Sequence, residues 1–132
     1  MMSRLVPNLP YREPKRAADW LAKAFGFGIR EVVEVGDAVT HVEMSFGGDL
    51  IYLSRDSDAD KYGMHSPMGL NGTNQSVCVV LTGNVDQACE RARSAGAETM
   101  TEPYNTPFGS RDFVCRDLEG HVWTFGTYAG SS

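Results

Sequence analysis

The chain has 132 residues, of which 42% are hydrophobic and 22% charged, a composition that fits one compact globular domain with a real core. Its 12 Lys and Arg against 17 Asp and Glu leave a formal charge of −5, which excludes the basic footprint of a nucleic-acid binder; no basic amphipathic face points to an anionic membrane either. No run has the apolar core of a signal peptide or the length of a membrane span, and Cys78, Cys89 and Cys115 are scattered without a CxxC pair, as expected of reduced, mostly buried thiols in a cytosol.

RLVPNLPY (4–11) predicts a short apolar strand that ends at Glu13-Pro14. A helix follows, with Ala17, Trp20, Leu21, Ala24 and Phe25 on one stripe, Pro14 in its first turn and Gly26 and Gly28 at its stop. IREVVEV (29–35), VTHVEMSF (39–46) and DLIYLS (49–54) read as an antiparallel meander whose turns are Gly36-Asp37 and Gly47-Gly48. Residues 55–74 read as a polar loop. Asp56, Asp58 and Asp60 have calcium-loop spacing, but Lys61 stands at the glycine position and Pro67 at the bidentate glutamate position, so the stretch reads as a solvated linker. The sequons NGT (71–73) and NQS (74–76) carry no weight without secretion. Then QSVCVVL (75–81) predicts a strand, VDQACERARSAG (85–96) a helix stopped by Gly96, and AETMTEPY (97–104), SRDFVCR (110–116) and HVWTFGTY (121–128) three more strands.

The order is β-α-β-β-β written twice: one unit over 1–55, a linker over 56–74 and a second unit over 75–129. The helix stops Gly26 and Gly96 are 70 positions apart, which pairs Val6 with Ser76. The hairpin glycines Gly48 and Gly120 are 72 apart, which pairs Tyr52 with Thr124 between Ile51/Trp123 and Leu53/Phe125. The expected fold is α+β, two βαβββ modules forming an eight-stranded cupped mixed sheet with a helix on the outer face of each half. A concave, partly apolar surface of that kind is the usual form of a small-molecule site.

The segments AADWLAKAFGFGIRE, VDQACERARSAGAETMTEP and TPFGSRDFVCRDLEGHVWTFGTY, in this order and spacing, resemble the vicinal oxygen chelate superfamily of glyoxalase I, extradiol dioxygenases and bleomycin-resistance proteins. Metal-dependent members hold a divalent ion with one His or Glu from the first and last strand of each unit. The resemblance carries those positions to Val6, Ser76, Tyr52 and Thr124. A slip of two would substitute Asn8, Cys78, Leu50 or Ser54, and Val122 or Gly126, and none of these offers a carboxylate or an imidazole. First-row divalent ions need several such donors at once, so no metal and no other cofactor is expected.

Tyr52 is the strongest candidate for ligand contact, an aromatic face with a phenol handle. His41 shares a strand face with Glu43 and Ser45, opposite Val42, Met44 and Phe46; it reads either as part of a solvated face or as a polar ligand contact, and a His beside a carboxylate can serve as a general base. Phe108 and Gly109 are placed to cover the mouth of the cup. Arg111 has two readings, a contact to a ligand carboxylate or phosphate and a salt bridge to an acid such as Glu102. Trp20 and Trp123 read as core. No phosphate loop, GxSxG elbow or Cys/His nucleophile pair is present.

These features point to a cytoplasmic, metal-free binding protein similar to the drug-sequestering bleomycin-resistance branch, with Tyr52, His41, Thr124, Ser76, Arg111, Phe108 and Asn8 as candidate ligand contacts and no catalytic residue. The expected ligand is small and aromatic or cationic, and the expected partner is a second copy of the chain, with no nucleic acid and no membrane. The alternative is a lyase or isomerase of the same superfamily acting on a small oxygenated substrate.

Overall fold

The computed structural model describes residues 3–128 and Gly130; the outermost residues of the expected units, including Ala129, lie outside it. Its elements follow the double repeat: β1 (Asn8–Tyr11), α1 (Pro14–Phe25), β2 (Gly28–Val35), β3 (Ala38–Phe46) and β4 (Asp49–Arg55), then β5 (Ser76–Val80), α4 (Val85–Ser94), β6 (Glu98–Asn105), β7 (Arg111–Arg116) and β8 (Val122–Gly126). The eight strands form two four-stranded mixed sheets, ordered β1-β4-β3-β2 and β5-β8-β7-β6, with the first strand parallel to the fourth in each. The hydrogen-bonded ladder stops at β1 and β5, which are facing edges across a groove and not one continuous sheet.

The stretch expected to be a solvated linker is instead partly helical: α2 (Asp56–Ala59), a 3-10 turn over Asp60–Tyr62 and α3 (Pro67–Leu70). Ser66 and Pro67 are buried. Pro67 sits at the start of α3, where its fixed φ and missing N–H suit a first turn, and the Ser66 hydroxyl accepts from the Met68 N–H as its cap.

α1 forms because Ala17, Ala18, Leu21, Ala24 and Phe25 recur on one face and Gly26 ends it in the left-handed conformation at φ 79°, donating its N–H to the Ala22 carbonyl. Arg91 of α4 closes the same end, donating to the carbonyl of Lys23 at 2.9 Å. α1 lies on the first sheet and α4 on β6 and β7 of the second. The strands answer with alternation: Val42, Met44 and Leu53 are buried on one side, Phe113, Cys115, Trp123 and Phe125 on the other. Phe25 joins the two halves, its ring 5.3 Å from Trp123 and 4.7 Å from Phe125 in edge-on contacts. Trp123 is fully enclosed, and Trp20 is half-buried with its indole N–H on the Ala95 carbonyl at 2.8 Å, so both tryptophans belong to the core.

The turn over 117–121 is the second joint between the halves. Its carboxylates are buried with neutral partners only. Asp117 accepts the Tyr11 hydroxyl, the Trp123 indole N–H and the backbone N–H groups of Glu119, Gly120 and His121. Glu119 accepts the N–H of Arg12 at 2.7 Å, that of Glu13 at 3.1 Å and the Ser66 hydroxyl at 2.6 Å. Glu13 offers no side-chain cap to α1; Glu119, from the far end of the chain, instead holds the backbone N–H of Glu13 itself and that of Arg12 before it, fixing the entry to the helix. His121 sits 4.6 Å from the Tyr11 ring, with Nε2 on the Pro10 carbonyl at 2.7 Å. Burial and the adjacent Asp117 push the Tyr11 phenol well above its usual range.

Candidate ligand-binding faces

Each sheet has one face under its helix and one open, and alternation decides which side chains reach the open one. On the first sheet Asn8, His41, Glu43, Tyr52 and Ser54 lie opposite the buried Leu9, Val42, Met44 and Leu53. Tyr52 stands at the centre, between Asn8 on β1 and Glu43 on β3. The His41 ring is 5.1 Å from the Tyr52 ring, tilted by 58°. The Ser54 hydroxyl donates to the Asn8 side-chain oxygen at 2.7 Å, while Glu43 has only a loose pairing with Arg30 at 3.7 Å. This is an aromatic pair on a polar bed.

On the second sheet Thr124 takes the corresponding place, between Cys78 on β5 and Val114 on β7. Ser76 does not lie beside it: Ser76 pairs with Val122, and Val6 falls outside β1 altogether. The central positions of the two faces are therefore Asn8 and Tyr52 on one sheet, Cys78 and Thr124 on the other. The correction is a slide of two residues along each first strand. Such a slide keeps every side chain on its own face and so leaves no trace in an apolar/polar pattern. Asn8 and Ser76 both line the groove of about 360 Å³ between β1 and β5, together with Pro7, Leu9, Gln75, Val77 and Cys78.

Two other expected contacts stand apart. Arg111 is one position out of phase with the open face. It turns toward α4, where its guanidinium makes bidentate bonds to Asp86 at 2.8 and 3.1 Å and a third to the Asn105 side chain at 3.0 Å. Its salt-bridge partner is thus Asp86, which the guanidinium holds below the usual carboxylate range, while Glu102 pairs with Arg93. Phe108 is exposed in the β6–β7 loop, with its ring 6.1 Å from that of Tyr128.

Amide, phenol, thiol and hydroxyl make up the four central positions, and among the described residues no three His, Cys, Asp or Glu side chains gather where they could hold an ion. That donor set does not fit the divalent metal of the superfamily's metal-dependent branches. Asp112, an open-face carboxylate on β7 opposite Gly126, is not among the contacts expected from the sequence. The signal was available: the strand alternates Asp112, Val114, Arg116 against Phe113 and Cys115.

The family model of the Glyoxalase/Bleomycin resistance protein/Dioxygenase superfamily matches residues 5–125. A Mycobacterium bovis protein without an assigned role is 29% identical over 129 residues, covering 92% of this chain and 81% of its own. In structure the chain is similar to TioX from Micromonospora sp. ML1, at 29% identity and a TM-score of 0.74 over 98% of this chain and 99% of that one. A lactoylglutathione lyase from Agrobacterium tumefaciens shares the fold at 16% identity, with a TM-score of 0.67 over 95% and 93% of the two chains.

Proposed function

The chain belongs to the Glyoxalase/Bleomycin resistance protein/Dioxygenase superfamily, and from that premise we propose that it binds a small, largely planar organic molecule without making or breaking a bond. The observation that carries this reading is the chemistry at the centre of the open faces. Asn8, Tyr52, Cys78 and Thr124 supply no set of metal donors, while Tyr52 and His41 supply a flat aromatic surface with hydrogen-bonding tips. This favours sequestration, as in the bleomycin-resistance branch, over the lyase or isomerase chemistry of metal-dependent relatives.

The open faces are not covered within one chain: Cys78 and Val80 are exposed on the second sheet, as is Val33 on the first. A homodimer that sets open faces against each other would complete the site. Three free thiols suit a reducing cytoplasm as the place of action.

A thermal-shift screen against planar aromatic antibiotics, followed by calorimetric titration of the best binder, tests the reading. Tyr52→Ala is expected to weaken binding by about 1–3 kcal/mol, the loss for a buried aromatic contact, and His41→Ala by less. Both variants should fold, because neither side chain enters the core under the helices. Unchanged affinity in Tyr52→Ala moves the site elsewhere. Ligand recovered in altered form makes the protein an enzyme, and about one tightly held transition metal per purified chain overturns the metal-free reading.

A further inference from the structure

We propose that Asp112, laid across Gly126 on the open face of the second sheet, anchors a cationic group, a protonated amine or a guanidinium, of the molecule bound there. The inference rests on the binding reading above and names the charge its ligand carries.

The first observation is an unmet need. Among the described residues Asp112 Oδ1 is the one buried side-chain oxygen or nitrogen with no hydrogen-bond partner. Native interiors seldom leave a carboxylate oxygen so, because removing it from water without a donor costs free energy; Oδ1 itself is enclosed, so a cation would compensate the charge through Oδ2, which is not among the enclosed atoms. The nearby guanidinium groups do not serve it: Arg111 is held by Asp86 and Asn105, and Arg116 by Glu98.

The second observation is the space made for it. Asp112 and Gly126 are cross-strand partners, and a Cβ added at Gly126 would collide with the carboxylate Oδ1 and Cγ. Any other residue at this position would lift the carboxylate off the strand. With glycine there, one carboxylate oxygen rests against the β8 backbone. A weak Cα–H contact is all the glycine can give in exchange.

The third observation is what lies at the equivalent place on the other sheet. Glu43 opposes Tyr52 and Val114 opposes Thr124, so β3 and β7 superimpose at an offset of 71 residues, which sets His41 against Asp112. One open face thus carries an aromatic pair, His41 with Tyr52, and the other an unpaired carboxylate. A planar cation suits this pairing in its chemistry, with rings for the aromatic pair and a charge for the acid.

The test uses two tricyclic fluorophores of similar shape, proflavine as the cation and acridone as the neutral counterpart, titrated against the native protein, Asp112→Asn and Gly126→Ala at constant ionic strength. The native protein should prefer proflavine. Asp112→Asn keeps the shape and removes the charge; it should weaken proflavine at least tenfold, leave acridone within twofold and leave the melting temperature unlowered. Gly126→Ala, with Asp112 still present but displaced, should also weaken proflavine more than acridone. Equal losses for both dyes in Asp112→Asn, or no loss for proflavine, overturn the anchor. Acridone bound and proflavine refused overturns the anchor and keeps the binding reading. If the native protein binds neither dye, both fall.

Discussion

The two modules are built to one plan, yet their last hairpin turns behave oppositely. In the first, Phe46 pairs directly with Asp49 around the two-residue turn Gly47-Gly48, both exposed. In the second, where Arg116 pairs with Val122 as Ser45 does with Leu50, five intervening residues replace four, and three of them, Asp117, Glu119 and His121, are buried polar groups. The offset between modules grows from 71 before the turn to 72 after it, so the second turn is longer by one residue. With it the second turn reaches across to finish the start of α1. The first turn finishes nothing at α4: Asn84 offers that helix no side-chain cap, and Phe46 lines a cavity of about 440 Å³ with Leu81, Asn84 and Gln87. A repeat can keep its strands and helices while only one copy ties the halves together, because the tie needs acceptors placed on backbone N–H groups of the other half and only the longer turn carries them.

The largest test of this asymmetry is alkaline. Burial pushes the Cys115 thiol from 9.0 up to about 12, while the residue at the same place in the first module, Met44, does not titrate. The folded protein holds that proton more tightly than the unfolded chain, so the stabilisation is complete below pH 9 and is lost as pH climbs toward 12. The slope should be at most about 1.4 kcal/mol per pH unit and the total roughly 4 kcal/mol. Tyr11 adds in the same direction above pH 10. Urea melts across this range should steepen as described, and Cys115→Ala should flatten them; an unchanged slope in the variant would place the alkaline sensitivity elsewhere.

Glu119→Ala comes next. It strips the acceptor from two backbone N–H groups and the Ser66 hydroxyl, and should cost about 3 kcal/mol in urea denaturation, with faster amide exchange at Arg12 and Glu13. Tyr11→Phe removes one of five donors to Asp117 and should cost about 1–2 kcal/mol by the same measurement. Gly48→Ala, in the bare turn, meets nothing within 4 Å and should change stability by no more than about 0.5 kcal/mol. If Gly48→Ala cost as much as Glu119→Ala, the two turns would not differ as claimed.

The helices, the strands and their twofold order were legible because each is written in local periodicity: the α1 stripe at Ala17, Leu21, Ala24 and Phe25, the alternation of Val42 and Met44 against His41 and Glu43. Face assignments for Tyr52, His41 and Thr124 follow from the same parity. The rung at which Asn8 meets Tyr52 does not, since a slide of two preserves parity. From sequence, Asp117 to Gly120 read as no more than a tight polar turn, because the partners Tyr11, Arg12 and Glu13 lie more than a hundred positions away and leave no local mark. Helical turns over 56–70 were missed for a like reason: Ser66 is held by Glu119, and composition alone gives that stretch the look of a loop.

A chain leaves the ribosome from its N-terminus, and the reach of Glu119 sets an order on what can then happen. The strand-helix joint at residues 11–13 emerges first, yet its acceptors are 106 and 107 positions behind it. Until the eighth strand is made, the start of α1 has only water for those N–H groups, and the nascent first module lacks its closing bonds. Contacts of such sequence separation slow folding, since the loop must close before the bonds reward it. Completion of the first half is therefore a late event, and a translational pause anywhere before residue 117 would hold an unfinished module with Phe25 and Phe27, which pack on Trp123, open to other chains.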